Sequence, residues 1–140
     1  MRTLLVTPIM LGITFLGLAQ KPEIKKVPIT QTPAESGSVM FAEYCAVCHG
    51  KDAKGSGPAA PALRLAPPDL TTLAKRHNGV FPAAYVSNVI RLGRDLAPHG
   101  SKDMPVWGRA FSSLIPHDDI IVQQRIFNLT NYIKSLQERK

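Results

Sequence analysis

Apolar residues fall into a few short patterned stretches, separated by long runs rich in glycine and proline. The clearest pattern lies near the end of the chain. Val122, Ile126, Leu129, Ile133 and Leu136 recur at intervals of 4, 3, 4 and 3 residues, which places them in one stripe along a helix. Asp118 or Asp119 opens this helix with negative charge, and Arg139 and Lys140 close it with positive charge, each at the end the helix dipole favours. Another helix is expected from Ser36, which can cap it, with Val39, Phe41, Tyr44, Cys45 and Cys48 as its apolar content. Gly37, near its start, is an oddity in a helix.

Between these two the pattern is broken. Residues 50–69 hold Gly50, Gly55, Gly57, Pro58, Pro61, Pro67 and Pro68, a density that predicts a long loop without regular elements. A loop of that length needs something to lie against. Thr71 to His77 reads as a short helix stopped by Asn78-Gly79. Pro82 suits the first position of a helix running through Tyr85, Val86, Val89 and Ile90 to Gly93. Residues 94–105 form a second loop, and Trp107 to Leu114 give one or two helical turns. No β-type alternation of any length is present. The fold class is all-α, several short helices with long loops.

The first 35 residues follow different rules. Arg2 precedes an apolar run from Leu4 to Leu18, and Gly17-Leu18-Ala19 places small residues before a cut. This is the layout of a secretory signal peptide cleaved after Ala19, giving a signal segment at 1–19. The rival is a retained membrane anchor, but the run is shorter than the roughly 20 residues a spanning helix needs and contains Pro8. Residues 20–35 carry three prolines and no apolar periodicity, which suits an extended linker or arm. The folded domain is expected over residues 36–140.

Composition narrows the classes further. A chain of 140 residues allows one domain, and 44% hydrophobic residues suffice for a core. The net charge is +7, moderate for a nucleic-acid binder. Two cysteines cannot staple a mini-protein or form a four-thiolate zinc site. After export, free thiols tend to oxidise, so Cys45 and Cys48 should be bonded to something.

Those cysteines stand in Cys45-Ala46-Val47-Cys48-His49. Two thiols three apart on a helical turn point to one side, and the next residue sets an imidazole beside them. The pattern is that of c-type haem attachment: each thiol adds to a vinyl group and the imidazole ligates iron. A thioredoxin-like pair would need a strand before Cys45, where a helix is expected instead. A zinc site would need further ligands, and His77, His99 and His117 lack the spacing. A haem iron that carries electrons needs a second axial ligand. Met40 lies on the helix of the cysteines and cannot reach the opposite face. Met104, followed by Pro105, lies on the second loop and is the candidate, with His99 as the rival.

At these residues the chain resembles a class I monohaem cytochrome c, in the bacterial branch with C-x-x-C-H-G, G-x-G-P and M-P-x-W. The matching residues are Cys45 to Gly50, the loop GSGPAAPAL, Met104 to Gly108 and Leu129 to Leu136. The resemblance implies the cytochrome c fold around one covalently bound haem, its N- and C-terminal helices crossing. Gly37 and Phe41 would meet Tyr132 there, which accounts for the odd glycine. It also implies a proline carbonyl that orients His49; Pro61, followed by Leu63, and Pro58 both compete for that role. Trp107 departs from the mitochondrial pattern and either packs or reaches a haem propionate.

The implied function is electron transfer by an exported, periplasmic protein through one exposed haem edge, without enzymatic bond-making. The alternative is a haem c protein with a labile sixth ligand that binds small gases or reduces peroxide. Phe41, Leu63, Leu70, Val89, Trp107 and Phe111 would keep water from the iron. Lys51, Lys54 and Lys102 flank the two loops and could steer the protein to acidic docking patches on redox protein partners. The domain could equally be a subunit of a larger oxidoreductase. No nucleic acid is expected, and a membrane only if the signal segment is retained.

Overall fold

The computed structural model describes residues 27–93 and 103–138. The signal segment, Lys102, His99 and the first half of the linker therefore lie outside the described residues. Within them every regular element is helical, so the all-α reading stands.

The chain enters its first helix at α1 (Gly37–Met40), continues through a π-helical turn (Phe41–Cys45) and ends in α2 (Ala46–His49). Ser36 caps it, its hydroxyl accepting from the Val39 amide at 3.3 Å. The π turn was not legible in the sequence. The Ala46 amide donates to the Phe41 carbonyl, one residue further back than in an α-helix, which turns the Cys45–His49 end relative to the half that carries Phe41.

The loop that follows is fastened to the end of α2. Amides of Gly55, Gly57 and Ala59 donate to the carbonyls of His49, Cys48 and Val47 at 2.7, 3.1 and 2.9 Å. Carbonyls that a helix end leaves without partners are thus satisfied. A Cβ at Gly57 would stand 2.5–2.6 Å from the Val47 and Ala46 carbonyls and the Cys48 carbonyl carbon, so the approach requires glycine. The loop also holds a single 3₁₀ turn, Ala60–Ala62, where the glycine and proline density left no room for a regular element in the sequence reading. Pro61 sits inside that turn.

Four helices complete the frame. A short α3 (Leu73–Arg76) ends at left-handed Asn78 and Gly79, the stop expected from the sequence. It is shorter than the stretch Thr71–His77. Next come α4 (Ala83–Leu92), with Pro82 one position before its first turn, and α5 (Trp107–Leu114). The long α6 (Asp119–Ser135) is capped by Asp118, whose carboxylate accepts from the Ile121 amide at 3.0 Å.

α6 is the spine. It packs against α1, α4 and α5, and its stripe of Val122, Ile126, Leu129 and Ile133 is buried. Its crossing with α1 lies at Gly37, where a Cβ would overlap the Asn128 carbonyl and stand 2.8 Å from the Tyr132 Cβ. Phe41 meets Tyr132 at the same crossing, ring centroids 5.4 Å apart. Met40, Phe41, Phe111 and Leu129 are the largest fully buried side chains among the described residues.

The described part of the proline-rich segment lies on this frame. Tyr44 Oη donates to the Thr30 carbonyl at 2.5 Å and meets the Thr32 hydroxyl at 2.8 Å. Asn128 Nδ2 donates to the Ala34 carbonyl at 2.9 Å. Buried Arg125 holds Thr32 from α6.

Candidate functional site

One cavity of about 470 Å³ opens between the helix that carries Cys45 and Cys48, the long loop, α3, α4 and the start of α5. Cys45, Cys48, His49 and Met104 all line it, so the four residues singled out in the sequence converge although Met104 lies far along the chain. The rest of its wall is largely apolar, including Leu63, Leu70, Leu73, Val86, Val89 and Ile90. Phe41 and Phe111, expected in the same wall, belong to the core behind it. Met40 is fully buried with its sulfur 3.6 Å from Arg125 Nη1, away from the cavity.

His49 is positioned twice. Its carbonyl receives the Gly55 amide, and its ring Nδ1 faces the Pro68 carbonyl at 3.4 Å. A carbonyl can only accept, so Nδ1 carries the proton and Nε2 keeps a lone pair. Burial pushes the imidazole below its ordinary pKa, opposed in part by the Pro68 bond. A neutral ring with a free Nε2 is the form that ligates a metal. The carbonyl is that of Pro68, not of Pro61 or Pro58. Pro61 is held in the 3₁₀ turn, and Pro58 lies beside a separate shallow hollow against the outer side of α2. Pro61-Ala62-Leu63 and Pro68-Asp69-Leu70 share one pattern, so spacing alone could not choose between them.

Burial raises both thiols. Burial, aided by the neighbouring Cys48, pushes Cys45 up to about 12. Cys48 is also raised, by burial and then by the charge of Asp103. Reactive C-x-x-C thiols are instead lowered. Asp103 in turn ties the Met104 segment to the loop, its carboxylate accepting from the Arg64 amide at 3.1 Å.

Trp107 lines the cavity and stacks with Tyr44 and Phe111, ring centroids 5.3 and 5.7 Å away. Its contacts are those of packing. Sequence reasoning missed Arg76, His77 and Tyr85, which also line the cavity. His77 Nδ1 faces the Leu73 carbonyl at 2.9 Å. No spacing rule flags these residues, because they reach the wall only through the placement of α3 and α4.

The donor set suits a metalloporphyrin rather than a bare ion. Two thiols, an imidazole and a thioether share a largely apolar space within the usual range for a ligand pocket, roughly 300–1,000 Å³. Among the described residues no three His, Cys, Asp or Glu side chains converge as an ion site. Cys45 and Cys48 would hold the group covalently, and His49 and Met104 are placed in its wall.

Comparison with known proteins agrees. Residues 34–137 match the family model described as Cytochrome c. The chain is also similar to a Cbb3-type cytochrome c oxidase subunit CcoP from Rhodobacter capsulatus, 29% identical over 114 residues. That match covers 81% of this chain and 33% of the relative, so the chain spans about a third of that protein's length. A family match over most of the chain, an all-helical frame and a cavity holding both cysteines, the histidine and the methionine lead to one conclusion: the chain belongs to the cytochrome c family, whose members carry covalently bound haem c and transfer electrons.

Proposed function

We propose that the chain is an exported electron carrier in which Cys45 and Cys48 would hold one haem c covalently and His49 and Met104 would ligate its iron. The observation that carries this reading is that all four side chains line one apolar cavity. The haem supplies a reversible one-electron iron couple. The chain's own residues do the rest. Pro68 holds the His49 Nδ1 proton and so turns Nε2 inward. Met104 offers a neutral, soft thioether, which favours the ferrous state. Leu63, Leu70, Val89 and Trp107 exclude water and disfavour the more charged ferric state. With His49 and Met104 both holding the iron, the protein would pass single electrons and perform no chemistry on a substrate.

Lys51 and Lys54 are exposed beside the attachment helix and would favour partners with acidic docking patches. The likeness to an oxidase subunit supports a second setting, in which the domain serves a larger oxidoreductase. Among the described residues no helix is long and apolar enough to cross a membrane. Export to the periplasm rests on the signal segment at 1–19, with the folded domain following the arm.

Optical spectra of the purified protein, oxidised and reduced, with and without carbon monoxide, test the reading. The expected result is a c-type haem spectrum, a ferric methionine–iron charge-transfer band and no response to carbon monoxide. Met104→Ala should keep covalent haem, lose that band, lower the potential and admit carbon monoxide. Cys45→Ala with Cys48→Ala should yield little haem-bearing protein. A wild-type spectrum that shifts with carbon monoxide would replace the carrier with a haem c protein of labile sixth ligand, suited to small gases or peroxide.

A further inference from the structure

Arg125 lies in the middle of α6 and is only 2% exposed. Its Nη1 donates to the Thr32 hydroxyl at 3.0 Å and Nη2 to the Thr32 carbonyl at 2.6 Å. Nη1 also stands 3.6 Å from the Met40 sulfur, and Nε finds no acceptor. Every partner is neutral: a hydroxyl, a carbonyl, a thioether and the face of Phe111, whose ring centroid is 5.7 Å from Cζ. Among the described residues no carboxylate pairs with it.

A buried charge is normally paired, because leaving it alone costs several kcal/mol. An arginine needed only to fasten the arm would do so as well with an acid beside it. The guanidinium is a permanent charge, and its position gives that charge a direction. Phe111 stacks on Tyr44 and Trp107, centroids 5.6 and 5.7 Å away, and both of those rings line the cavity. The charge thus stands one aromatic layer behind the cavity wall. Across such a layer a field is weakened far less than through water.

We propose that Arg125 is a potential-setting residue: its unneutralised charge acts through the Phe111–Tyr44–Trp107 layer on the haem and favours the ferrous form. This rests on the haem c reading above. When a donor delivers one electron to the iron, the site loses one unit of positive charge, and a fixed cation nearby makes that change more favourable. Arg125 touches neither the iron nor its ligands and acts by field alone.

Redox titration of the holoprotein, monitored optically, tests this with three variants. Arg125→Met should lower the midpoint potential, and the shift should persist at high salt, since a buried charge is little screened. Arg125→Lys keeps the charge and should stay near wild type. Thr32→Val removes the hydroxyl that meets both Arg125 and Tyr44 but no charge; it should lower the melting temperature and leave the potential in place. If Arg125→Met fails to yield holoprotein, Arg125→Gln makes the same comparison. An unchanged potential in the neutral variant overturns the proposal. So does a Thr32→Val shift as large as that of Arg125→Met, which would reduce Arg125 to a structural clamp. A wild-type protein without a c-type spectrum would end the parent reading before any titration.

Discussion

Asp69 shows how one half-buried carboxylate can hold the segment that presents the Pro68 carbonyl. Its side chain accepts from the Thr71 hydroxyl at 2.6 Å and the Thr71 amide at 2.8 Å, and its own carbonyl receives Arg76. The Thr71 hydroxyl bond above all, with smaller help from the Thr71 amide, Lys54 and Arg76, lowers the carboxyl below its usual range. A folded-state pKa below the unfolded one stabilises the fold above the unfolded value, and the gain is lost as pH falls through the folded value. Asp69→Asn should therefore melt lower than wild type near neutral pH, by a small margin because the group is partly open to solvent. The two melting curves should converge in acid. A gap that stays constant across pH would assign the effect to geometry rather than charge. At this scale the sequence was informative where chemistry fixes spacing. Cys45, Cys48 and His49 form one contiguous motif, and Met104 was the only methionine outside the signal segment and the attachment helix. Pro68 was missed because two Pro-x-Leu copies compete, and Arg76 and His77 because their meaning is purely tertiary.

Among the elements, the crossing of α1 and α6 is the tightest junction described. Gly37→Ala would drive a methyl into the Asn128 carbonyl and the Tyr132 side chain. Overpacking of this kind costs about 1–3 kcal/mol, and because the obstacle includes backbone the helices must separate. Denaturant unfolding of the variant should show that loss while covalent haem is retained; a midpoint equal to wild type would mean that the crossing is loose. The helices themselves were legible wherever a stripe or a stop signal is local. The apolar stripe of α6, the Ser36 cap and the Asn78-Gly79 stop all appear where the sequence set them, and of Asp118 and Asp119 it is Asp118 that caps α6. The π turn was not, since it depends on how Phe41 and Cys45 must face different surroundings. The 3₁₀ turn at Ala60–Ala62 was hidden by its own prolines.

Across the whole molecule, charge and attachment are distributed unevenly. Lys51 and Lys54 stand exposed at the end of the attachment helix, whereas Arg125 is sealed inside. Exposed charges are screened within a Debye length, about 8 Å at physiological salt. Electron exchange with an anionic redox reagent should slow severalfold between low and high salt, and Lys51→Glu with Lys54→Glu should remove most of that dependence. Equal salt slopes for wild type and variant would place the contact elsewhere. The arm was read as linker or arm because its own residues show no apolar pattern; what holds it is supplied by Tyr44, Arg125 and Asn128, more than ten residues away in sequence. That fastening has a mechanical side. A pull on the chain ahead of Thr30 meets Tyr44 and Arg125 before it reaches Gly37, and Asn128 takes the strain again at Ala34. Load is shared between α6, through Arg125 and Asn128, and the middle of the helix that bears the thiols, through Tyr44, so it does not fall on the first turn at Gly37. An arm built this way is moored at three points on two helices before the chain enters its first turn.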